Sequence, residues 1–121
     1  MPKTIQITVT EASQEILSDA LKLYAELAFP VSGSECNLVA RDALTTTANE
    51  YERQHSEYGY INLSSRIKPL LKAAITSYYK LKAEQSGVSH SNECELLLSI
   101  CEGRSVSDQQ LEKAKIKDLA R

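Results

Sequence analysis

Apolar and polar residues alternate at the beginning of the chain, over residues 3–10. A period of two, filled largely by β-branched residues, predicts a β-strand with one buried side and one solvent-facing side. The side predicted to be buried consists of Ile5, Ile7 and Val9, and the outward side consists of Thr4, Gln6 and Thr8. Such a strand needs a partner, because a lone strand leaves its backbone groups unpaired.

Two helices are predicted after this strand. Over residues 12–28 the apolar period becomes helical, and Pro30 ends that helix because the residue before a proline avoids helical backbone angles. Ser32-x-x-Glu35 has the pattern of a capping box and predicts a second helix over about residues 34–53. The candidate core positions of the two helices are Ile16, Leu17, Ala20, Leu21, Tyr24, Leu27, Leu38, Leu44, Ala48 and Tyr51.

The second half of the chain predicts the same order of elements. A weaker strand spans residues 58–64, and a long helix follows it, with Pro69 near its first turn and Ser86-Gly87 at its end. A short helix is expected over residues 93–102, and Ser107-x-x-Gln110 is a capping pattern that opens a final helix. The inward positions of the second strand are Ile61 and Leu63, its outward positions are Tyr60, Asn62 and Ser64, and the long helix carries Leu70, Leu71, Ala74, Ile75, Tyr78 and Leu81.

The two halves form an internal repeat. An offset of 54 positions maps Ile7 onto Ile61 and Leu21 onto Ile75. Two copies are too few for a solenoid, so the repeat predicts a pseudo-dimer, in which one chain forms the unit that two identical chains usually form. The predicted organisation is a first repeat over residues 1–57, a second repeat over residues 58–103 and a helical tail over residues 104–121.

Charge is unevenly distributed along the chain. The net charge is −2, but residues 1–57 carry four Lys/Arg and nine Asp/Glu, a net of −5, whereas residues 58–121 carry ten and seven, a net of +3. No stretch approaches the roughly 20 apolar residues of a membrane span, and the N-terminus lacks the apolar core of a signal peptide. The three cysteines have no metal-type spacing and are typical of reduced thiols. We therefore expect a cytoplasmic protein that has no membrane partner.

The order strand, helix, serine turn, helix resembles the ribbon-helix-helix family of DNA-binding domains, the type of the methionine and Arc repressors. The matching segments are the alternating strand at residues 4–9, the turn at residues 32–35 and the helix start Leu38-x-x-Arg41-x-Ala43-Leu44. The likeness covers residues 3–53 and, more loosely, residues 58–102. A tandem copy in one chain is similar to the TraY type of relaxosome accessory proteins of conjugative plasmids. The resemblance implies a mostly α fold with a short two-stranded antiparallel β-ribbon, a tandem ribbon-helix-helix pseudo-dimer.

The resemblance also implies sequence-specific binding of double-stranded DNA, with the ribbon in the major groove, where base edges can be distinguished. The residues that would contact bases are Thr4, Gln6, Thr8, Tyr60, Asn62 and Ser64. Glutamine and asparagine can form hydrogen bonds with adenine, and threonine can contact the thymine methyl group. Arginine, which commonly contacts guanine, is missing from these positions, so a DNA site rich in A·T pairs is expected. The same alternation would also place ordinary solvent-facing residues on the outer side of a half-buried sheet.

The serine turns before the second helix of each repeat are candidate phosphate sites, because free backbone N–H groups and the helix dipole attract anions. The residues concerned are Ser32, Gly33 and Ser34 in the first repeat, and Ser89, His90 and Ser91 in the second. Ordinary helix capping explains the same pattern. Lys3, Arg66 and Lys68 flank the strands and are further candidates for phosphate contacts.

An enzyme is not indicated. The two histidines, His55 and His90, lie at non-equivalent positions, and the chain carries no zinc-binding motif or phosphate loop. We therefore expect no catalytic site, cofactor or metal. The expected role is that of a transcriptional repressor or of a plasmid or phage accessory factor. The alternative is a protein-interaction module, such as a phage inhibitor or antitoxin-like adaptor, that uses a helical or acidic surface. The C-terminal helix is a candidate for self-association or for contact with a protein partner.

Overall fold

The computed structural model describes residues 4–29 and 35–119, apart from the side chains of residues 36 and 37. This part of the chain is mostly helical and contains one two-stranded antiparallel sheet. The sequence prediction of a mostly α fold with a short antiparallel ribbon is confirmed at this level. In chain order the elements are β1 (Thr4–Thr8), α1 (Glu11–Ala28), α2 (Glu35–Tyr58), β2 (Tyr60–Ser64), α3 (Lys68–Ser86), α4 (Ser91–Cys101) and α5 (Asp108–Leu119).

The two strands pair with each other within one chain, as predicted. Their register places Ile5 opposite Leu63 and Ile7 opposite Ile61. The internal repeat also equates Ile7 with Ile61, so two residues that correspond in sequence lie face to face at the centre of the ribbon. Two similar halves related by a two-fold axis require such a self-matching position, because the axis must pass through it.

The core lies between the inner side of the ribbon and the apolar stripes of α1 and α3, which pack against each other. Burial follows the repeat closely. The equivalent pairs Ile7 and Ile61, Leu17 and Leu71, Ala20 and Ala74, and Leu21 and Ile75 are all fully buried. Around this centre α2 packs on α1, α4 packs on α3, and α5 packs on α4. The helical stripes predicted from the sequence therefore form the core.

The boundary between α2 and β2 differs from the prediction. The sequence predicted that the helix ends near residue 53 and that the strand starts at residue 58, but α2 continues to Tyr58 and β2 begins at Tyr60. Gly59 lies between them with a φ of 78°, and its N–H donates to the carbonyl of His55 at 2.8 Å. Gly59 therefore ends the helix in a left-handed conformation and does not belong to the strand.

The start of α1 also differs from the prediction. The first strand was predicted to reach residue 10, but it ends at Thr8, and Thr10 caps α1. The Ser13 N–H donates to Oγ1 of Thr10 at 3.2 Å, and the Thr10 N–H donates to Oγ of Ser13 at 2.8 Å. This reciprocal pair is a capping box, which satisfies two backbone donors at once. The capping pattern predicted at Ser107 and Gln110 is confirmed by the same two bonds, at 3.2 and 2.8 Å.

Three residues of the predicted helical stripes are exposed instead of buried. Leu27 is 56% exposed, Leu38 is 38% exposed and Leu70 is 36% exposed. Each lies in the first or last turn of its helix. Periodicity predicts which side of a helix faces inward, but it does not predict where along the helix the neighbour ends.

Candidate nucleic-acid interface

The outer side of the ribbon brings together all six residues predicted to contact bases. The strand register forms three cross-strand pairs on this side, Thr4 with Ser64, Gln6 with Asn62 and Thr8 with Tyr60. Four of the six are exposed, and Tyr60 and Ser64 are partly exposed. The face is polar and uncharged, and it lies opposite the buried Ile7 and Ile61. Its groups can donate and accept hydrogen bonds, which is the chemistry that base edges require.

Two amide side chains form the centre of this face. The backbone N–H of Asn62 donates to Oε1 of Gln54 in α2 at 2.8 Å, so it points away from β1. In an antiparallel ladder this makes Gln6 and Asn62 a non-hydrogen-bonded pair, whose side chains approach each other more closely than those of a bonded pair. Gln54 also covers part of the outer edge of β2. The sequence did not indicate this role, because residue 54 was expected to lie beyond the helix.

Two tyrosines extend the face at the α2 end of the ribbon. The rings of Tyr58 and Tyr60 stack, with centroids 5.7 Å apart and planes inclined by 26°. Tyr58 is 54% exposed, although it belongs to the end of α2. An exposed aromatic pair offers a flat apolar surface beside the polar pairs, and stacking on such surfaces stabilises unpaired bases.

The basic residues beside the strands differ in their availability. Nζ of Lys68 lies 2.7 Å from a carboxylate oxygen of Glu102, and Nζ of Lys72 lies 2.8 Å from the other oxygen. Hydrogen bonds from these two ammonium groups lower the pKa of Glu102 to about 2. Arg66 is exposed and forms no ion pair with another described residue, whereas Lys3 lies outside the described residues. Arg66 is therefore the better candidate for a phosphate contact, and Lys68 must first leave Glu102.

A carboxylate of the chain occupies the second predicted phosphate site. The N–H groups of Asn92 and Glu93, at the start of α4, donate to the two carboxylate oxygens of Asp118 at 3.1 and 3.2 Å. The side-chain amide of Asn92 adds a third bond at 2.7 Å. Burial alone would raise the pKa of Asp118, but the hydrogen bonds from Asn92 and Glu93 lower it below its ordinary value.

Asp118 thus satisfies the free amides that the sequence prediction assigned to a phosphate beside Ser89, His90 and Ser91. Its role could not be found by pattern, because it comes from α5, 26 residues after Asn92. The equivalent turn of the first repeat, Ser32, Gly33 and Ser34, lies outside the described residues.

An acidic surface lies on the helices α1 and α2. Its carboxylates come from Glu11, Glu15, Asp19 and Glu52. The Ser18 hydroxyl donates to Glu52, which together with the nearby Lys22 lowers the pKa of that carboxyl below its ordinary value. Four carboxylates so close together repel phosphate.

The described cysteines are unsuited to nucleophilic chemistry. Burial raises the pKa of the Cys94 thiol above its ordinary value, and burial raises that of Cys101 to about 12. A reactive cysteine needs the opposite shift, because the thiolate is the nucleophile. These thiols therefore act as small apolar groups of the core.

No protein-family model matches the chain, and no curated protein or solved structure matches it either. None of the described helices is both long and apolar enough to cross a membrane.

Proposed function

We propose that the chain is a tandem ribbon-helix-helix protein that binds double-stranded DNA sequence-specifically, with the outer side of its β-ribbon in the major groove. The observation that carries the proposal is the agreement between the internal repeat and the strand register at Ile7 and Ile61. A two-stranded ribbon is narrow enough to enter the major groove, and this one presents six polar side chains outward. A repressor, or an accessory factor of a plasmid or phage acting in the cytoplasm, would use such a surface.

The two strands present different side chains on the outer side of the ribbon. The repeat equates Gln6 with Tyr60 and Thr8 with Asn62, so equivalent positions carry different side chains. Homodimeric DNA-binding proteins read palindromes because their halves are identical. A single chain with unequal halves is expected to prefer a non-palindromic site, with A·T pairs opposite the central Gln6 and Asn62 because amide side chains bond adenine bidentately.

Selection from a random duplex library, followed by fluorescence anisotropy on the selected site and a scrambled one, tests this proposal. Gln6→Ala and Asn62→Ala should each weaken binding to the selected site by about 1–3 kcal/mol, and should change binding to the scrambled site little. The matched control is Gln109→Ala, which removes the same chemical group from an exposed position of α5. Circular dichroism of each variant checks that the fold is intact.

Equal losses on both duplexes would remove the base-reading role of Gln6 and Asn62. No binding of the wild type to any duplex at low salt would reject DNA binding altogether. In that case a protein-interaction module is the better proposal, and the acidic surface of α1 and α2 favours it, because carboxylates there suit a partner with a basic surface. Charge-reversing Glu15→Lys should then abolish partner binding while leaving the ribbon unchanged.

A further inference from the structure

Three side chains that can bind a metal ion meet where α5 packs on the start of α4. They are His90, Glu93 and Asp118, and their ligand atoms all lie within 4.8 Å of one another. Glu93 is 3% exposed and Asp118 is 5% exposed, and the imidazole of His90 is 15% exposed. No sequence motif indicates this cluster, because Asp118 follows Glu93 by 25 positions and lies on another helix.

The orientation of His90 directs a lone pair into this cluster. Its Nε2 lies 3.2 Å from the hydroxyl of Ser86, and that hydroxyl donates its single proton to the carbonyl of Lys82 at 2.8 Å. For this reason we assign Nε2 as the donor to Ser86, and in a neutral ring Nδ1 then carries no proton. A metal-binding histidine has this arrangement, because a second group holds the nitrogen that does not bind the ion.

Nδ1 of His90 faces a carboxylate at a distance that does not suit a hydrogen bond. It lies 3.7 Å from Oε1 of Glu93, and it is buried without a hydrogen-bond partner among the described residues. Hydrogen bonds between nitrogen and oxygen are about 2.7–3.2 Å long. Two ligands of one tetrahedral ion are separated by about 3.4 Å, since each lies about 2.0–2.2 Å from zinc. The observed spacing is closer to that of two ligands sharing an ion.

The charge of Glu93 also needs a positive partner, because the hydrogen bonds at the start of α4 compensate only that of Asp118. Two carboxylates in a buried cluster are unfavourable unless they are compensated, and no lysine or arginine among the described residues forms an ion pair with Glu93 or Asp118. The hydroxyl of Tyr79, which is 3% exposed, is likewise buried without a hydrogen-bond partner in the described chain. This hydroxyl lies beside Glu93 and can donate a hydrogen bond to a ligand carboxylate.

We propose that His90, Glu93 and Asp118 bind one divalent transition-metal ion of the zinc class, which fastens α5 to the start of α4. The ion's two positive charges balance the two carboxylates, and a neutral imidazole with two carboxylates is a ligand set that zinc accepts. A water molecule would complete a tetrahedral site. Because α5 has no contact partner among the described elements as extensive as α4, the ion would control how firmly the C-terminal helix is attached.

Isothermal titration calorimetry and thermal unfolding of the full chain, stripped of metal with chelator and then titrated with zinc chloride, test the site. We expect one zinc per chain and a melting temperature that rises with zinc concentration, because a ligand that binds only the folded state stabilises it. His90→Gln and Glu93→Gln should each weaken zinc binding at least about tenfold. Glu95→Gln, at an exposed position of the same helix, is the control and should bind zinc like the wild type.

A second measurement separates binding from misfolding. Without metal, Glu93→Gln should melt at or above the wild-type temperature, because it removes an uncompensated buried charge, and zinc should no longer raise that temperature. Cobalt in place of zinc should give a spectrum of nitrogen and oxygen ligands. A thiolate charge-transfer band would assign the ion to a cysteine and overturn the proposal. So would zinc that leaves the melting temperature of the wild type unchanged, or equal zinc binding by all four proteins.

Discussion

At the scale of single residues, burial follows the internal repeat and so tests it. Leu21 and Ile75 are equivalent in sequence, and both are fully buried between α1 and α3. We expect Leu21→Ala and Ile75→Ala each to lower the free energy of unfolding by about 2–5 kcal/mol, because each empties a close-packed site. Urea unfolding measures this.

Leu27→Ala is the matched control for that pair. It makes the same chemical change in the last turn of α1, where the side chain is 56% exposed, so we expect a change of about 0.5 kcal/mol or less. Losses below about 1 kcal/mol at both buried positions would mean that the paired stripes of α1 and α3 do not hold the fold together.

Glu102 predicts a dependence of stability on pH. Hydrogen bonds from Lys68 and Lys72 lower its pKa in the folded chain from 4.5 to about 2. A carboxylate with a lowered folded pKa stabilises the protein above its unfolded pKa, and this contribution is lost as the pH falls from about 4.5 towards 2. The urea midpoint of wild type should therefore exceed that of Glu102→Gln at pH 7, with the difference disappearing near pH 2. Because the carboxylate is exposed to solvent, the difference should be small, and a gap that persists unchanged at pH 2 would contradict it.

At the scale of secondary-structure elements, the sequence predicted the strands and helices that have a periodic apolar pattern, but it misplaced the end of α2. Period two and period 3.6 identified both strands and the long helices, because each needs only a local pattern. The end of α2 was misplaced because residues 54–57 are polar and carry no apolar stripe. In the structure Arg53 is paired with Glu57 at 2.7 Å, and charged pairs four residues apart support a helix without apolar contacts.

Gly59 makes the junction between α2 and β2 testable. Its φ of 78° is unfavourable for residues with a side chain, and a Cβ there would meet no atom within 4 Å. Gly59→Ala should therefore destabilise by about 1–2 kcal/mol through backbone strain alone. Gly59→Asn should lose less, since asparagine tolerates this conformation better. Chemical denaturation of the two variants compares them, and a larger loss for asparagine than for alanine would point to crowding as the cause.

At the scale of the whole molecule, the outer side of the ribbon was predictable and the residues around it were not. Alternation placed Gln6 and Asn62 on the outer side of the ribbon, since the position of a side chain on a strand follows from its parity. The carboxylates that occupy the predicted phosphate sites come from elsewhere in the chain. Asp118 reaches α4 from α5, and Glu102 reaches Lys68 across 34 positions, distances over which sequence patterns carry no information.

The competition between Glu102 and phosphate gives a last prediction, which rests on the proposed DNA binding. Arg66 is unpaired among the described residues, so Arg66→Ala should weaken binding to the selected and scrambled duplexes about equally and reduce the salt slope by about one unit. Lys68 is held by Glu102, so Lys68→Ala should weaken binding less than Arg66→Ala does.

Glu102→Gln should strengthen binding at low salt, because it removes a negative charge and releases both Lys68 and Lys72 to neutralise phosphates of the DNA backbone. Anisotropy titrations across a range of salt concentrations measure the slopes. A Glu102→Gln variant that binds no more tightly, beside an Arg66→Ala variant with an unchanged slope, would show that this side of the molecule faces away from the DNA.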